Sequence, residues 1–157
     1  MRLLCDEMLG GLARWLRAAG YDAATPVPGD DDRRLIARAA VEQRLFLTRD
    51  RPIVQHKAAA GLVVLLESQH LDAQALELRR RLAVDWLAAP FTRCLRCNLR
   101  LDPAPPQALT RAPRQAQALA GPFRLCPGCG RLYWPGSHAR RMRARLEAWA
   151  AGLQGDG

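Results

Sequence analysis

The chain has 157 residues, of which 49% are hydrophobic and 25% charged, a balance that fits a globular fold and excludes a disordered chain. No apolar run reaches the ~18–20 residues that span a bilayer, and Asp6 and Glu7 interrupt the start where a secretion signal would need its apolar core, so a cytoplasmic location without a membrane partner is expected. The net charge of +9 is uneven: residues 1–93 carry 14 basic and 12 acidic side chains, whereas residues 94–157 carry 10 and 3.

Arg2-Leu3-Leu4-Cys5 predicts a short buried strand that ends at Asp6, a place where α/β proteins gather ligands and where an aspartate also serves as a helix cap. Glu7 to Ala19 predicts an amphipathic helix, because Met8, Leu9, Leu12, Trp15, Leu16 and Ala19 recur at helical spacing and Gly20 suits its end. Gly10 and Gly11 weaken its first turn by roughly 1 kcal/mol each; close approach of another backbone or of a phosphate would compensate. Tyr21 to Val27 reads as a short strand broken by Pro26 and Pro28. Asp30-Asp31-Asp32 then precedes a helix over Arg33 to Gln43. One aspartate is needed as the cap, so two are surplus.

Arg44 to Thr48 predicts a strand that delivers Asp50 at its carboxyl end, with Pro52 preventing its continuation. Leu62 to Leu66 reads as the clearest buried strand, and Leu71 to Leu82 as a helix. This order predicts an α/β fold for residues 1–90, a parallel or mostly parallel sheet covered by helices. A second unit is expected over residues 91–152, with a frayed tail over 153–157. Its middle, Pro103 to Gly121, reads as a loop with one helical turn. Its end, from Ser137 to Trp149, reads as a basic helix with Ser137 as cap and Met142, Leu146 and Trp149 as its apolar stripe.

Cys94-x-x-Cys97 and Cys126-x-x-Cys129 have the spacing of two knuckles that complete one tetrahedral Zn²⁺ shell, and a four-thiolate shell is closed and therefore structural. The alternative for such pairs is redox chemistry. Cys5 is left as a small buried hydrophobe. Asp6, one or more of Asp30, Asp31 and Asp32, and Asp50 fall on one end of a parallel sheet if the crossovers are right-handed. Carboxylates gathered there require a cation. Mg²⁺ or Mn²⁺ is the usual one, and it suits phosphodiester cleavage. Each aspartate also has a capping or turn reading. Arg49 and Arg51 flank this site with guanidinium groups suited to phosphate. Arg140, Arg141, Arg143 and Arg145 could track a nucleic-acid backbone, so a polyanion is the expected partner, RNA or DNA first. Tyr133 and Trp134 could cover the knuckles or stack on bases.

Several motifs together resemble the Mut-seven C-terminal RNase domain family. They are Leu3-Leu4-Cys5-Asp6-Glu7-Met8-Leu9, Leu12-Ala13-Arg14-Trp15-Leu16-Arg17, Asp32-x-x-Leu35-Ile36 and Arg44-Leu45-Phe46-Leu47-Thr48-Arg49-Asp50-Arg51. The second half adds Cys94-x-x-Cys97-Asn98 and Cys126-Pro127-x-Cys129-Gly130-Arg131-x-Tyr133-Trp134. The resemblance implies a PIN-like nuclease domain fused to a zinc ribbon, acting as a metal-dependent ribonuclease. It implies that the acids are Asp6, Asp32 and Asp50, with Asp32 chosen over Asp31 because it lies three residues before Leu35. Better-known PIN nucleases carry a fourth acid soon after the third, and here Asp50 is followed by Arg51, Pro52 and Ile53. That departure leaves a non-catalytic RNA-binding module as the alternative.

Overall fold

A computed structural model describes residues 1–153. Four strands, β1 (Arg2–Cys5), β2 (Asp22–Ala24), β3 (Leu45–Thr48) and β4 (Val63–Leu65), form one sheet in the order β2-β1-β3-β4. Every pairing in it is parallel. Helices α1 (Gly10–Ala18), α2 (Asp32–Val41), α3 (Arg51–Val54) and α4 (Leu71–Leu82) connect and follow the strands. The α/β fold with a parallel sheet is therefore as the sequence predicts. α1 starts later than expected, because Glu7–Leu9 forms a tighter 3₁₀ turn first.

The alternation of side chains along β1 and β3 divides the core in two. On one face Leu3, Cys5 and Leu47 pack against Leu9, Leu12 and Leu16 of the α1 region and against Ala75 and Leu78 of α4. On the other, Leu4 and Phe46 pack against Leu35, Ile36 and Ala39 of α2 and against Ile53. β4 is the exception to the reading of burial. Its residues are half-buried, because β4 is the last strand of an open sheet and has a neighbour on one side.

The free edge of β2 is covered by side chains instead of another strand, which removes an aggregation-prone row of bare backbone groups. The Asn98 Oδ1 accepts from the Ala23 N–H at 3.0 Å, and the Arg17 Nε donates to the Ala23 carbonyl at 2.8 Å. Buried Arg17 continues to the carbonyls of Leu95 and Arg96 at 3.0 and 2.9 Å, so one guanidinium joins α1, β2 and the first cysteine knuckle. Gly20, at φ +98°, lets the following chain lie against the end of α1: a Cβ there would sit 2.4 Å from the Ala89 carbonyl oxygen.

The second half holds a three-stranded antiparallel sheet in the order β5 (Asp102–Pro103), β6 (Arg124–Leu125) and β7 (Leu132–Tyr133). The Pro-rich stretch read as a loop carries a 3₁₀ turn over Pro106–Arg111 and a short helix α5 (Arg114–Gln117), and Ala108, Ala112 and Ala116 pack on Leu132 as a small core. The last helix, α6 (Ser137–Ala150), leaves that unit. Its Met142, Leu146 and Trp149 enter the core shared by α1 and α4. Trp149 meets Trp15 and Trp86 edge-on, with ring centroids 4.9 Å apart in both pairs. Ser137 is the first helical residue rather than the cap, and Gly136 occupies the cap position. Among the described residues no helix is long and apolar enough to cross a membrane. The frayed tail expected over 153–157 lies, past Leu153, outside the described residues.

Candidate functional site

Two constellations carry chemistry. The first is the carboxyl end of the parallel sheet. β1 and β3 are neighbours with Cys5 opposite Leu47, so Asp6 and Thr48, the next residues, arrive side by side. The Asp6 amide donates to the Leu47 carbonyl at 2.9 Å, extending the pairing one residue beyond β1. The buried Thr48 hydroxyl donates to Asp6 Oδ2 at 2.8 Å and accepts from the Asp50 amide at 3.0 Å. Thr48 is thus the link between the two strand-end aspartates. Asp6 Oδ1 accepts from the Glu7 amide at 2.7 Å, so Asp6 also caps the 3₁₀ turn. The cap and site readings of Asp6 are compatible, since each carboxylate oxygen has a second lone pair.

The aspartate triplet divides its labour. Asp30 Oδ2 accepts from the Val27 amide at 2.9 Å and lies 3.8 Å from an Arg38 nitrogen. Asp31 is the cap of α2, accepting from the Arg34 amide at 2.8 Å. Asp32 is exposed in the first turn. Among the described residues the carboxylates of Asp32 and Asp50 accept no hydrogen bond and join no ion pair, in contrast to those of Asp30 and Asp31. The Arg49 Nε, next to Asp50, is buried without a hydrogen-bond partner. The three aspartates do not draw together into a closed ligand cluster among the described residues, as the four cysteines do.

Two further residues belong to this end of the sheet and escape a reading by motif. Thr48 reads from sequence as the end of a strand, although a threonine two residues before an aspartate is a turn signal. Glu67 follows the apolar run of β4 with no pattern of its own. The β3–β4 register pairs Thr48 with Leu65, which puts Glu67 at the level of Asp50 on the same end of the sheet, and it is exposed there.

The second constellation is the cysteine centre. The sulfurs of Cys94, Cys97, Cys126 and Cys129 all lie within 4.8 Å of one another. Cys94 and Cys129 Sγ are 3.7 Å apart, against about 3.8 Å for the edge of a tetrahedron with Zn–S bonds of about 2.3 Å. The Cys97 and Cys129 amides point at Cys94 and Cys126 Sγ, at 3.3 and 3.5 Å. Each knuckle then turns through a left-handed residue, Asn98 at φ +64° and Gly130 at φ +67°. The Leu95 amide donates to the Tyr133 hydroxyl at 3.1 Å, which leaves that hydroxyl to donate to Cys94 Sγ at 3.2 Å. Burial opposes ionisation of Cys94, but the Tyr133 hydroxyl and the Cys97 and Arg96 amides outweigh it and hold its thiol below the ordinary range. This donor set fits a structural Zn²⁺. Tyr133 therefore covers the knuckle, one of its two sequence readings. Cys5 is fully buried in the sheet, away from this centre, and burial pushes its thiol up to about 12.

The arginines fall into different environments. Arg145 is committed within the fold: its guanidinium donates to Asp72 Oδ1 at 2.8 Å and lies over the rings of Trp15 and Trp149. Arg143 lies over Phe91 at 5.4 Å. Arg51, Arg140 and Arg141 are exposed. At the opposite, amino end of the sheet, Asp22 accepts from Arg44 at 2.7 Å and from Asn98 at 2.6 Å. Burial would raise the Asp22 carboxyl, yet these bonds hold it down at about 2. That cluster fastens β2, β3 and the first knuckle, and lies away from the free carboxylates.

The family model for the Mut7-C RNAse domain matches residues 1–146, a span that takes in both constellations. The human protein described as exonuclease mut-7 homolog is 37% identical over 101 residues, which cover 62% of this chain and 12% of that protein. The chain thus corresponds to a small part of that relative's length. No solved structure matches. These likenesses support a nuclease-related function, and with nearly its whole length matched the chain belongs to the Mut7-C RNAse domain family.

Proposed function

We propose that the protein is a metal-dependent ribonuclease whose site is the carboxyl end of the sheet, with Asp6, Asp32 and Asp50 as the acids. The observation that carries this reading is the Asp6–Thr48–Asp50 link beside carboxylates that the fold leaves unpaired. Unpaired carboxylates on one end of a sheet suit a hard divalent cation, which takes oxygen ligands and keeps waters. Mg²⁺ or Mn²⁺ bound there supplies neutralisation of the phosphate and a water that ionises more readily. Asp6 is held in place by the Thr48 hydroxyl and the Glu7 amide, so its carboxylate needs little rearrangement. Arg49 and Arg51 supply positive charge for the scissile phosphate, the Arg49 Nε having no partner of its own. RNA is the proposed substrate and the arginine-rich second half its proposed holder, with Arg140, Arg141 and Arg143 carrying the exposed charge. Arg145, already engaged by Asp72, contributes through the fold. The cytoplasmic setting and the division into residues 1–90, 91–152 and a short tail belong to this proposal too.

The test is cleavage of labelled RNA in Mg²⁺ or Mn²⁺ by Asp6→Asn and Asp50→Asn. Each is expected to lose at least about 100-fold in rate, the scale of a removed catalytic electrostatic group; undiminished cleavage in both removes the site. The rival reading, a module that binds RNA without cutting it, is favoured by the failure of the three aspartates to form a closed ligand cluster. It expects RNA binding in the wild type with no metal-dependent cleavage.

A further inference from the structure

Where the first knuckle, β7 and the start of α6 meet α1, the surface opens into a cleft of about 540 Å³, within the size range of small-ligand pockets. Its walls carry Arg14 of α1, Arg96 of the first knuckle, Arg131 beside the second, His138 of α6 and the aromatic faces of Phe91 and Trp134. No carboxylate lines it. What sets the cleft apart is that three arginines without an acid partner meet there around an aromatic ring. Arg2, Arg38, Arg44, Arg81 and Arg145 each pair with an acid, while Arg14, Arg96 and Arg131 form no ion pair among the described residues. Among the described residues the one side-chain hydrogen-bond contact of Arg14 is with His138 Nε2, at 3.4 Å.

Trp134 is the centre of this surface. It also lines two adjoining clefts, one with Arg124, Arg140 and Arg143 and the other with Arg96, Arg111 and Arg131. The Trp134 ring is half-buried. Unlike the hydroxyl of Tyr133, its indole N–H serves no cysteine, since the sulfur contact belongs to Tyr133. An aromatic face ringed by unpaired guanidinium groups is the arrangement on which unpaired bases stack while their phosphates are neutralised.

The cleft is also connected to the acidic end of the sheet. Gly10, Gly11 and Arg14 are exposed at helical spacing on one face of α1, and Glu7 is exposed in the 3₁₀ turn that precedes it. A Cβ at Gly10 or Gly11 would meet nothing within 4 Å, so these glycines leave bare backbone on the path between Asp6 and Arg14. The rise from Gly10 to Arg14 is about 6 Å. Among the described residues no side chain takes up that space, and a phosphate backbone from another molecule would fit it.

We propose that this cleft binds single-stranded RNA, with phosphates on Arg14, Arg96 and Arg131 and a base on Trp134, and that the strand runs from there along the glycine face of α1 to the acids. This rests on the ribonuclease reading for the identity of the strand. The test is binding of a short labelled oligouridine by the full, zinc-loaded chain in the Asp6→Asn background, so that the probe is not consumed. Arg96→Ala/Arg131→Ala is expected to weaken binding by about tenfold or more at low salt and to reduce the log–log salt slope by about 1.4, the value for two lost single-strand phosphate contacts. The comparison Arg79→Ala/Arg80→Ala, on α4, is expected to stay within about twofold. RNA is expected to quench tryptophan fluorescence in the parent chain and not in Trp134→Phe, a variant that keeps a stacking ring and should therefore still bind. Binding unaltered by the Arg96→Ala/Arg131→Ala change, quenching that persists in Trp134→Phe, or equally tight binding of an oligoglutamate peptide would each overturn the proposal. If the ribonuclease reading alone is wrong, the wild type fails to cleave while the binding results hold. If the cleft alone is wrong, cleavage holds while the binding results fail.

Discussion

Thr48 shows how much of the acidic end depends on one side chain. Its hydroxyl is fully buried and makes two bonds, one to Asp6 Oδ2 and one from the Asp50 amide. Thr48→Val keeps the volume and the β-branch but leaves the Asp50 amide and the Asp6 carboxylate each short of a partner. A lost neutral hydrogen bond costs about 1 kcal/mol, and one to a charged group about 1.5–3 kcal/mol. The expected outcome is a fold that survives, with stability lowered by about 2 kcal/mol in a urea titration. Cleavage should fall about tenfold, because Asp6 is no longer held against β3. A wild-type rate from a measurably destabilised Thr48→Val chain would mean that the orientation of Asp6 does not matter to turnover.

At the level of elements, α6 joins the two halves through one tryptophan. Trp149 is fully buried, and its indole N–H donates to Asp72 Oδ1 at 2.8 Å, the same oxygen that accepts from Arg145. Trp149→Ala removes the ring that meets Trp15 and Trp86, and is expected to cost about 3–5 kcal/mol, read as a shift of the urea midpoint. Trp149→Phe should recover most of the packing but not the bond to Asp72. The helix itself is legible in the sequence: Met142, Leu146 and Trp149 recur at helical spacing. Its docking place is not, because periodicity says which face is buried and nothing about which surface buries it. The same limit explains β4. Five apolar residues in a row signal a strand, but only the sheet order makes it an edge. Asp6 and Asp50 can be found from strand ends. The separation of Asp30, Asp31 and Asp32 into turn, cap and unpaired carboxylate depends on the dihedral angles of the turn. The four cysteines are legible from spacing alone, whereas the Tyr133 bond to Cys94 depends on the β6–β7 pairing.

Seen whole, the ribbon is a loop of one core. Residues 91–136 leave after Trp86 and return as α6, and both Trp86 and α6 belong to the core of the first sheet face. The bolts between ribbon and sheet, Arg17 to Leu95 and Arg96 and Asn98 to Ala23, hold only while the first knuckle keeps its shape. Two opposing magnitudes set the outcome of zinc removal. An unfolded loop of about 46 residues costs its closure entropy, about 3 kcal/mol. Burial of Met142, Leu146 and Trp149 contributes about 5–9 kcal/mol at roughly 1.5–3 kcal/mol per large side chain. The burial wins, so α6 is expected to stay docked after the ribbon has lost its metal and its fold. Chelation should thus release one zinc per chain, expose four thiols to a titrating reagent and abolish amide protection across β5, β6 and β7. Protection in β1, β3, α1 and α6 should remain. Oligouridine binding should fall with the ribbon, since Arg96, Arg131 and Trp134 lose their common frame. Simultaneous loss of protection in α6 and in the ribbon would show instead that the zinc centre holds the whole molecule together, and that the two cores fold as one.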